Sequence, residues 1–219
     1  TPPLRGDLCD LFPATADGEP VLLKVARAAR NNDLLQAEAR ALLRIARELD
    51  GQAVRAHFPV LIEQFQLRDM AGAQRQAHAL RWEQEYVSLA DVLAAYPDGI
   101  HPADAAWMFN RLLAALGTIH NLGLVHGAVL LPHVLIRPAD HNGMLIDWCY
   151  SVHQGATIQA ISPPYIVDYA PEVRTKVAAT PATDLYMAAR CMARLLGGDG
   201  TEDSLPPRVP RPLRTLLRA

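Results

Sequence analysis

The stretch VHGAVLLPHVLI at residues 125–136, with MLIDWC at 144–149 shortly after it, decides how this chain is interpreted. Two short apolar runs, 134–137 and 144–147, are separated by polar residues that include Asn142-Gly143. An Asn-Gly pair between two apolar runs is a common hairpin turn, because both residues tolerate positive φ angles. The sequence therefore predicts a small hairpin around Asn142-Gly143, with a loop before it.

The residues before this stretch predict strands with one helix among them. Apolar runs at 8–14 and 20–25 are separated by a turn containing Asp-Gly, which indicates a first hairpin. A helix is predicted from Asn32, which can cap its start, to about residue 50, where Gly51 suits its end. Two further strands are predicted at 57–67 and 76–82.

The residues from 83 onward predict mostly helix. Helices are expected at 88–95, at 102–122 with a proline in the first turn, and at 184–196 with Thr183 as the cap. The expected fold class is α+β: a β-rich N-terminal lobe at 1–82, a hinge at 83–87 and an α-rich C-terminal lobe at 88–219. Clefts between such lobes are favoured ligand sites.

The composition limits which classes of function and which cellular compartment we expect for this protein. The 219 residues carry a formal net charge of −2, so the strongly basic balance typical of nucleic-acid binding is absent. No apolar run is long enough for a transmembrane helix, and no apolar segment follows the N-terminus as in a signal peptide. The three cysteines are scattered, which argues against a disulfide framework. We therefore expect a cytoplasmic protein that binds neither nucleic acid nor membrane.

Lys24 is singled out because almost every basic residue of the chain is arginine, and the only other lysine is Lys176. Lysine is a compact point charge, so it is not interchangeable with arginine in a tight site. Glu38 falls on the apolar stripe of the predicted helix at 32–50, where an unpaired carboxylate would be costly. An ion pair between Lys24 and Glu38 would satisfy both residues; alternatively, Glu38 lies at the edge of the stripe and reaches water.

The order of these features resembles the protein-kinase-like superfamily, of the bacterial serine/threonine-kinase type, over nearly the whole chain. In that resemblance Lys24 matches the strand lysine that holds the nucleotide phosphates, and Glu38 matches its helix partner. The remaining matches share an order along the chain: the catalytic loop at Val125-His126-Gly127-Ala128, the magnesium-binding motif at Asp147-Trp148-Cys149, Ala170-Pro171-Glu172, and Asp184 at the start of a bracing helix. The resemblance implies a bilobal kinase-like fold that is short at its C-terminal end.

The catalytic loop departs from the family at four positions. Ala128 stands where the resemblance places the aspartate that accepts the substrate proton, and its methyl group cannot do this. Gly127 replaces the neighbouring arginine and Leu130 replaces the loop lysine. His133 replaces the asparagine that ligates magnesium, an ion that prefers oxygen donors. These departures are hard to reconcile with phosphoryl transfer by the usual mechanism.

The nucleotide pocket implied by the resemblance is also altered. Of the three glycines that bring the backbone close to the phosphates, only Gly6 remains, since Leu4 and Cys9 occupy the other two positions. Asp7 adds a negative charge nearby, and Leu22 replaces the small residue that lies over adenine. Lys24, Glu38 and Asp147 are retained, either as a vestigial nucleotide site or as a structural ion network.

The expected function is that of a pseudokinase: a catalytically inactive regulatory or scaffolding module that binds a protein partner or an attached domain. No cofactor is expected, and ATP with magnesium would bind weakly, with Asp147 as the candidate metal ligand. The alternative is an active ATP-dependent kinase, or a nucleotidyl transferase, with an atypical catalytic set.

Overall fold

The computed structural model describes residues 4–201 and 203–218, and side chains within strand β1 are outside that description. Residues 1–3 lie outside the described residues, and the argument against a signal peptide partly rests on them. Ala219, the last residue of the expected C-terminal lobe, also lies outside. The same holds for the side chain of Leu4, one of the three positions compared with family glycines.

The N-terminal part is a five-stranded antiparallel sheet with strand order β1-β2-β3-β5-β4. Its strands are β1 (Leu4–Arg5), β2 (Cys9–Ala16), β3 (Glu19–Ala26), β4 (Leu61–Arg68) and β5 (Gln74–Arg81). In the central strand β3, Lys24 pairs with Leu11 on one side and with His78 on the other. Side chains alternate between the two faces of a strand, so Leu22 and Lys24 share one face.

Helix α1 (Asn32–Glu48) packs against this sheet through one apolar stripe. Leu35, Leu42 and Ile45 are fully buried at the three- and four-residue spacing that keeps side chains on one helix face. Glu38 lies on the same stripe. The other neighbour of α1 is the short 3-10 turn at Trp148–Tyr150, so the helix connects the sheet to the C-terminal half of the chain.

The C-terminal part is mostly helical, with short strands at its edges. Its helices are α2 (Leu89–Ala95), α3 (Pro102–Asn121), α4 (Pro171–Arg174), α5 (Pro181–Leu195) and α6 (Arg211–Leu216). Its strands are β6 (Val87–Ser88), β7 (Leu124–Val125), β8 (Val134–Arg137), β9 (Asn142–Leu145) and β10 (Val152–His153). Helix α3 packs between α5 and β9. In the described part of the chain, no helix has both the length and the apolar character needed to cross a bilayer.

The predicted fold class is confirmed as α+β, with all strand pairs antiparallel. Most elements lie within a few residues of their predicted positions. The strand predicted at 57–67 differs more from the structure. Residues 53–57 form a 3-10 turn, so β4 begins only at Leu61.

The predicted helix caps were wrong by one to three residues. Asn32 is the first residue of α1 rather than its cap, and its side-chain amide bonds to the backbone of Gln74 and Gln76 in the sheet. Helix α5 starts at Pro181, so Thr183 is inside it, and the Thr183 hydroxyl oxygen accepts a hydrogen bond from the Thr180 N–H at 3.0 Å. Polar side chains near a helix start can serve either role, and tertiary contacts decide between them.

The turn of the second hairpin was also misplaced. Asn142 and Gly143 are residues of β9 and pair with Arg137 and Ile136, so the chain reverses before Asn142. A Cβ on Gly143 would lie 2.9 Å from Cβ of Arg111 on α3. Gly143 is therefore explained by the close packing of α3 on β9 rather than by a turn.

Candidate functional site

A cleft of about 490 Å³ lies between the N-terminal sheet and the C-terminal part. This volume is within the range of pockets that hold small organic ligands. Gly6 and Leu22 both line the cleft from the sheet side, together with Lys24. Leu22 is only partly buried, and with its side chain in place the cleft remains open.

Lys24 is the central charge of the cleft. Its Nζ donates to Oε1 of Glu38 at 2.8 Å and to Oδ1 of Asp147 at 2.5 Å. Lys24 is 6% exposed and Glu38 is 1% exposed, so Glu38 does not reach water. The ion pair predicted between Lys24 and Glu38 is present, and Asp147 joins it from a position 123 residues further along the chain.

Glu38 has two further partners that the sequence did not indicate. Its Oε2 lies 3.0 Å from Nδ1 of the fully buried His78, and its Oε1 also accepts the backbone N–H of Trp148 at 3.1 Å. His78 sits opposite Lys24 on the neighbouring strand. Only the register of β3 against β5 could have identified His78, and strand register between distant segments is not readable from one sequence.

The charges of this network alter the pKa values of all three members. Burial by itself lowers the pKa of Lys24, but the nearby Asp147 and Glu38 carboxylates raise it well above its ordinary value. Burial raises the pKa of Asp147, and the stronger combined effect of Lys24 and His133 lowers it below its usual range. The pKa of Glu38 is lowered in the same way, since Lys24 and His78 outweigh burial. All three groups are therefore charged at neutral pH.

The loop at 125–133 is held from beneath by Asp184 of helix α5. Its two carboxylate oxygens accept the backbone N–H groups of His126 at 2.8 Å and Gly127 at 2.9 Å. Oδ2 also lies 2.9 Å from Nε2 of His120. Asp184 is fully buried, so these contacts replace the water that a carboxylate otherwise needs. The bracing role expected for Asp184 from the resemblance is present in this geometry.

The loop positions that differ from the kinase-like pattern are packed rather than open. Ala128 and Leu130 are both 0% exposed, so neither side chain reaches the cleft surface. Gly127 has φ of 80°, and a Cβ there would lie 2.6 Å from the carbonyl oxygen of Tyr150. A side chain at position 127 is excluded in this conformation, because backbone atoms cannot move aside cheaply.

His133 faces the cleft from this loop. Its Nδ1 lies 2.8 Å from the carbonyl oxygen of Ala128, which orients the ring. Its Nε2 lies 3.2 Å from Oδ2 of Asp147 and 4.0 Å from Oδ2 of Asp7. The two oxygens of Asp147 are thus both in contact with nitrogen-bearing side chains, Oδ1 with Lys24 and Oδ2 with His133.

A magnesium ion does not fit this donor set. Ligand atoms of Glu38, Asp147 and Cys149 lie within 4.8 Å of one another, but Lys24 Nζ already bonds to both carboxylates of this group. Burial raises the pKa of Cys149 well above its ordinary value, so the group holds a neutral thiol rather than a thiolate. Mg²⁺ prefers oxygen ligands, and here the carboxylates already bond to Lys24 and His133 while the third group is a thiol.

Glu172 is paired within the described residues. The Thr183 hydroxyl donates to Oε1 of Glu172 at 2.7 Å. The resemblance implies an arginine as the partner of Glu172, and the sequence offered no residue that could be assigned to that role. The Thr183 hydroxyl therefore takes part in the capping of α5 and also holds the Ala170-Pro171-Glu172 segment on this helix.

We expect the buried ring of His126 to make the protein less stable in mild acid. Burial lowers its pKa from 6.5 to about 4, and its Nε2 bonds to the carbonyl oxygen of Ile146 at 3.0 Å. Between these pH values the unfolded chain binds a proton that the folded protein does not bind. The stability that the neutral His126 ring contributes is fully present above pH 6.5 and is lost as the pH falls toward 4. The loss amounts to about 3 kcal/mol, from roughly 1.4 kcal/mol per pKa unit.

Urea unfolding at several pH values between 7.5 and 4.5 would measure this loss. His126→Gln should flatten the pH dependence, whereas the same change at the exposed His153 should not. An unchanged slope in His126→Gln would show that other groups carry the acid sensitivity.

No protein-family model matches the chain, and a search of curated proteins finds no match either.

Proposed function

We propose that the chain is a bilobal kinase-like protein of the pseudokinase type, which binds a partner and does not transfer phosphate. The observation that carries this proposal is the buried methyl group of Ala128. In the proposed fold this position would need a carboxylate to orient the substrate hydroxyl and accept its proton. The N–H of Ala128 is directed at Nδ1 of His126, 3.3 Å away, so the loop fills the position with its own packing.

The retained residues support a structural role for the ion network. Lys24, Glu38 and Asp147 satisfy one another without a ligand, at 2.8 and 2.5 Å from the ammonium nitrogen. A phosphate would have to compete with two carboxylates for Lys24. We propose that ATP therefore binds weakly, with or without magnesium.

Protein is the class of partner that we propose. Ile166, Val167 and Val177 are between 44% and 58% exposed, and all three lie in the segment between β10 and α5. Contiguous exposed apolar surface marks protein contacts, and the adjacent Ile166 and Val167 support such a contact. A partner protein or an attached domain fits them, whereas the net charge of −2 does not favour nucleic acid. We propose the cytoplasm as the compartment, since all three cysteines are free and buried.

One observation favours the alternative of an active ATP-dependent kinase or nucleotidyl transferase. Asp7 lines the cleft, and its Oδ2 lies 3.2 Å from the hydroxyl oxygen of Tyr150. A carboxylate in this position is a displaced candidate for the missing base. The alternative requires Asp7 to take a role that the family assigns to a different element.

We expect no transfer of radiolabelled phosphate or nucleotide from ATP to the protein itself or to general acceptor proteins. The reason is that Ala128 cannot accept a proton and that both oxygens of Asp147 are engaged. The assay should compare the unaltered chain with Asp147→Ala and Asp7→Asn. Transfer that disappears in Asp147→Ala would overturn the pseudokinase proposal, and transfer that also disappears in Asp7→Asn would identify the displaced base.

A further inference from the structure

We propose that the cleft is a binding site for a planar organic cation, taken up without a divalent metal ion. This inference goes beyond the proposed function and shares with it only the view that the cleft is not catalytic. It follows from three features of the described residues: the occupied oxygens of Asp147, the excess of acidic groups around the cleft, and its apolar walls.

The first feature is that the side chains of Lys24 and His133 take the positions that a metal would need. Lys24 Nζ is 2.5 Å from one oxygen of Asp147, and His133 Nε2 is 3.2 Å from the other. Both side chains are buried and held by further bonds, Lys24 to Glu38 and His133 to the carbonyl oxygen of Ala128. A triphosphate would thus enter without the cation that normally offsets its charge.

The second feature is charge. Four carboxylates line the cleft, from Asp7, Glu38, Glu83 and Asp147, against the cationic groups of Lys24 and Arg81. Glu83 makes no side-chain hydrogen bond or salt bridge in the part of the chain that the structure describes. Clefts with low-dielectric walls concentrate the electric field of an excess charge, so the negative charge of this cleft attracts cations and repels polyphosphates.

The third feature is the shape and polarity of the walls. Apolar side chains line both sides of the cleft: Leu8, Leu11, Leu22 and Leu80 from the sheet, and Leu135, Met144 and Ile146 from the other side. Trp82 and Tyr86 line it between the two halves. Apolar walls suit the faces of an aromatic ring system, while the carboxylates suit a positive charge at its edge.

The probe for this site is 9-aminoacridine, a fluorescent planar cation, and its matched control is the anion acridine-9-carboxylate. Fluorescence titration should show that the cation binds at least about tenfold more tightly than the anion. Its affinity should agree within about twofold between EDTA and millimolar magnesium, because no metal takes part. Millimolar ATP with magnesium should not displace it.

Two variants test whether the probe binds in the cleft. Leu22→Trp fills the space next to Lys24 and should weaken binding about tenfold, with folding checked by circular dichroism. Glu83→Gln removes one charge at a partly exposed position and should weaken binding about threefold, whereas Glu63→Gln on the exposed face of β4 should not. Glu83→Gln keeps the test decisive if Leu22→Trp does not fold.

His133→Asn tests the exclusion of metal directly. The substitution frees Oδ2 of Asp147 and adds an amide oxygen beside it, so ATP with magnesium should displace the probe at about tenfold lower concentration than in the unaltered protein. Equal competition in both proteins would contradict the role given to His133.

Absence of probe binding, tighter binding of the anion, or magnesium-dependent displacement by ATP in the unaltered protein would each overturn this inference. None of these outcomes involves phosphate transfer, so the inference can fail while the proposed absence of transfer stands. Transfer of labelled phosphate would overturn the proposed function independently.

Discussion

Lys24→Met should lower the free energy of unfolding by about 3–5 kcal/mol, the usual cost of removing one partner from a buried ion pair. Methionine keeps much of the volume of the lysine stem but leaves two carboxylates facing each other. Glu38 is 1% exposed and Asp147 is only partly exposed, so neither can recover its hydration by a small movement. Urea unfolding followed by tryptophan fluorescence would measure the loss, since Trp148 is buried beside Glu38.

The other lysine of the chain supplies the matched control. Lys176 is exposed and makes one bond, to the carbonyl oxygen of Ile158 at 3.3 Å, so Lys176→Met should change the stability by about 0.5 kcal/mol at most.

A combined variant tests whether charge or volume is responsible. Lys24→Met with Glu38→Gln and Asp147→Asn removes all three charges and should recover most of the loss, because neutral groups of similar shape carry a smaller desolvation cost. A single-variant loss below about 1 kcal/mol would mean that the network is hydrated and not a buried one.

Asp184→Ala should lower the free energy of unfolding by about 2–6 kcal/mol, because each of two buried N–H groups would lose its acceptor at about 1–3 kcal/mol. The two donors are the backbone amides of His126 and Gly127, at 2.8 and 2.9 Å from the carboxylate. Glycine adopts the positive φ of residue 127 without strain, so the expected loss comes from the two unpaired amides and not from the backbone conformation. Chemical denaturation with the same fluorescence readout measures the effect.

Asp50→Ala is the matched control for Asp184→Ala, since Asp50 is exposed just after helix α1, and it should change the stability by about 0.5 kcal/mol at most. Asp184→Asn should lie between these two variants, because its amide oxygen retains one acceptor. Equal stability of Asp184→Ala and the unaltered chain would show that water replaces the carboxylate and that the loop is not held by α5.

Local patterns were enough to predict the α+β class and the order of most elements, and they gave the pairing of Lys24 with Glu38 as one of two alternatives. The periodic stripe at Leu35, Glu38 and Leu42 identifies the buried face of α1, and a carboxylate on such a face requires a cation. Since the chain has one other lysine, Lys176, Lys24 was the evident candidate for the cation that pairs with Glu38. These predictions depend on composition or on residues that are close in sequence, and a single sequence contains all of this information.

Predictions about caps and turns failed where a distant contact changed the local preference. Asn32 bonds to strand β5 instead of capping α1. Thr183 is a different case, because it takes part in a local capping box with Thr180, one turn before the predicted start of α5. Asn142-Gly143 has the composition of a turn, yet α3 packs so closely on Gly143 that these residues lie in a strand. Local propensities are small, so a tertiary contact worth about 1 kcal/mol is enough to override them.

The amino-acid sequence by itself determined which chemical groups the cleft contains and which it lacks, because Ala128 cannot act as a base in any conformation. Only the tertiary structure decided how the retained groups are used. It places His78 and the Trp148 amide on Glu38, and it places His133 on the oxygen of Asp147 that Lys24 leaves open. The two contacts of Glu38 join residues 40 and 110 apart along the chain, and the contact between His133 and Asp147 joins two different loops. Such contacts depend on strand register and loop packing, and strand register depends on the pairing of whole faces rather than on any local pattern.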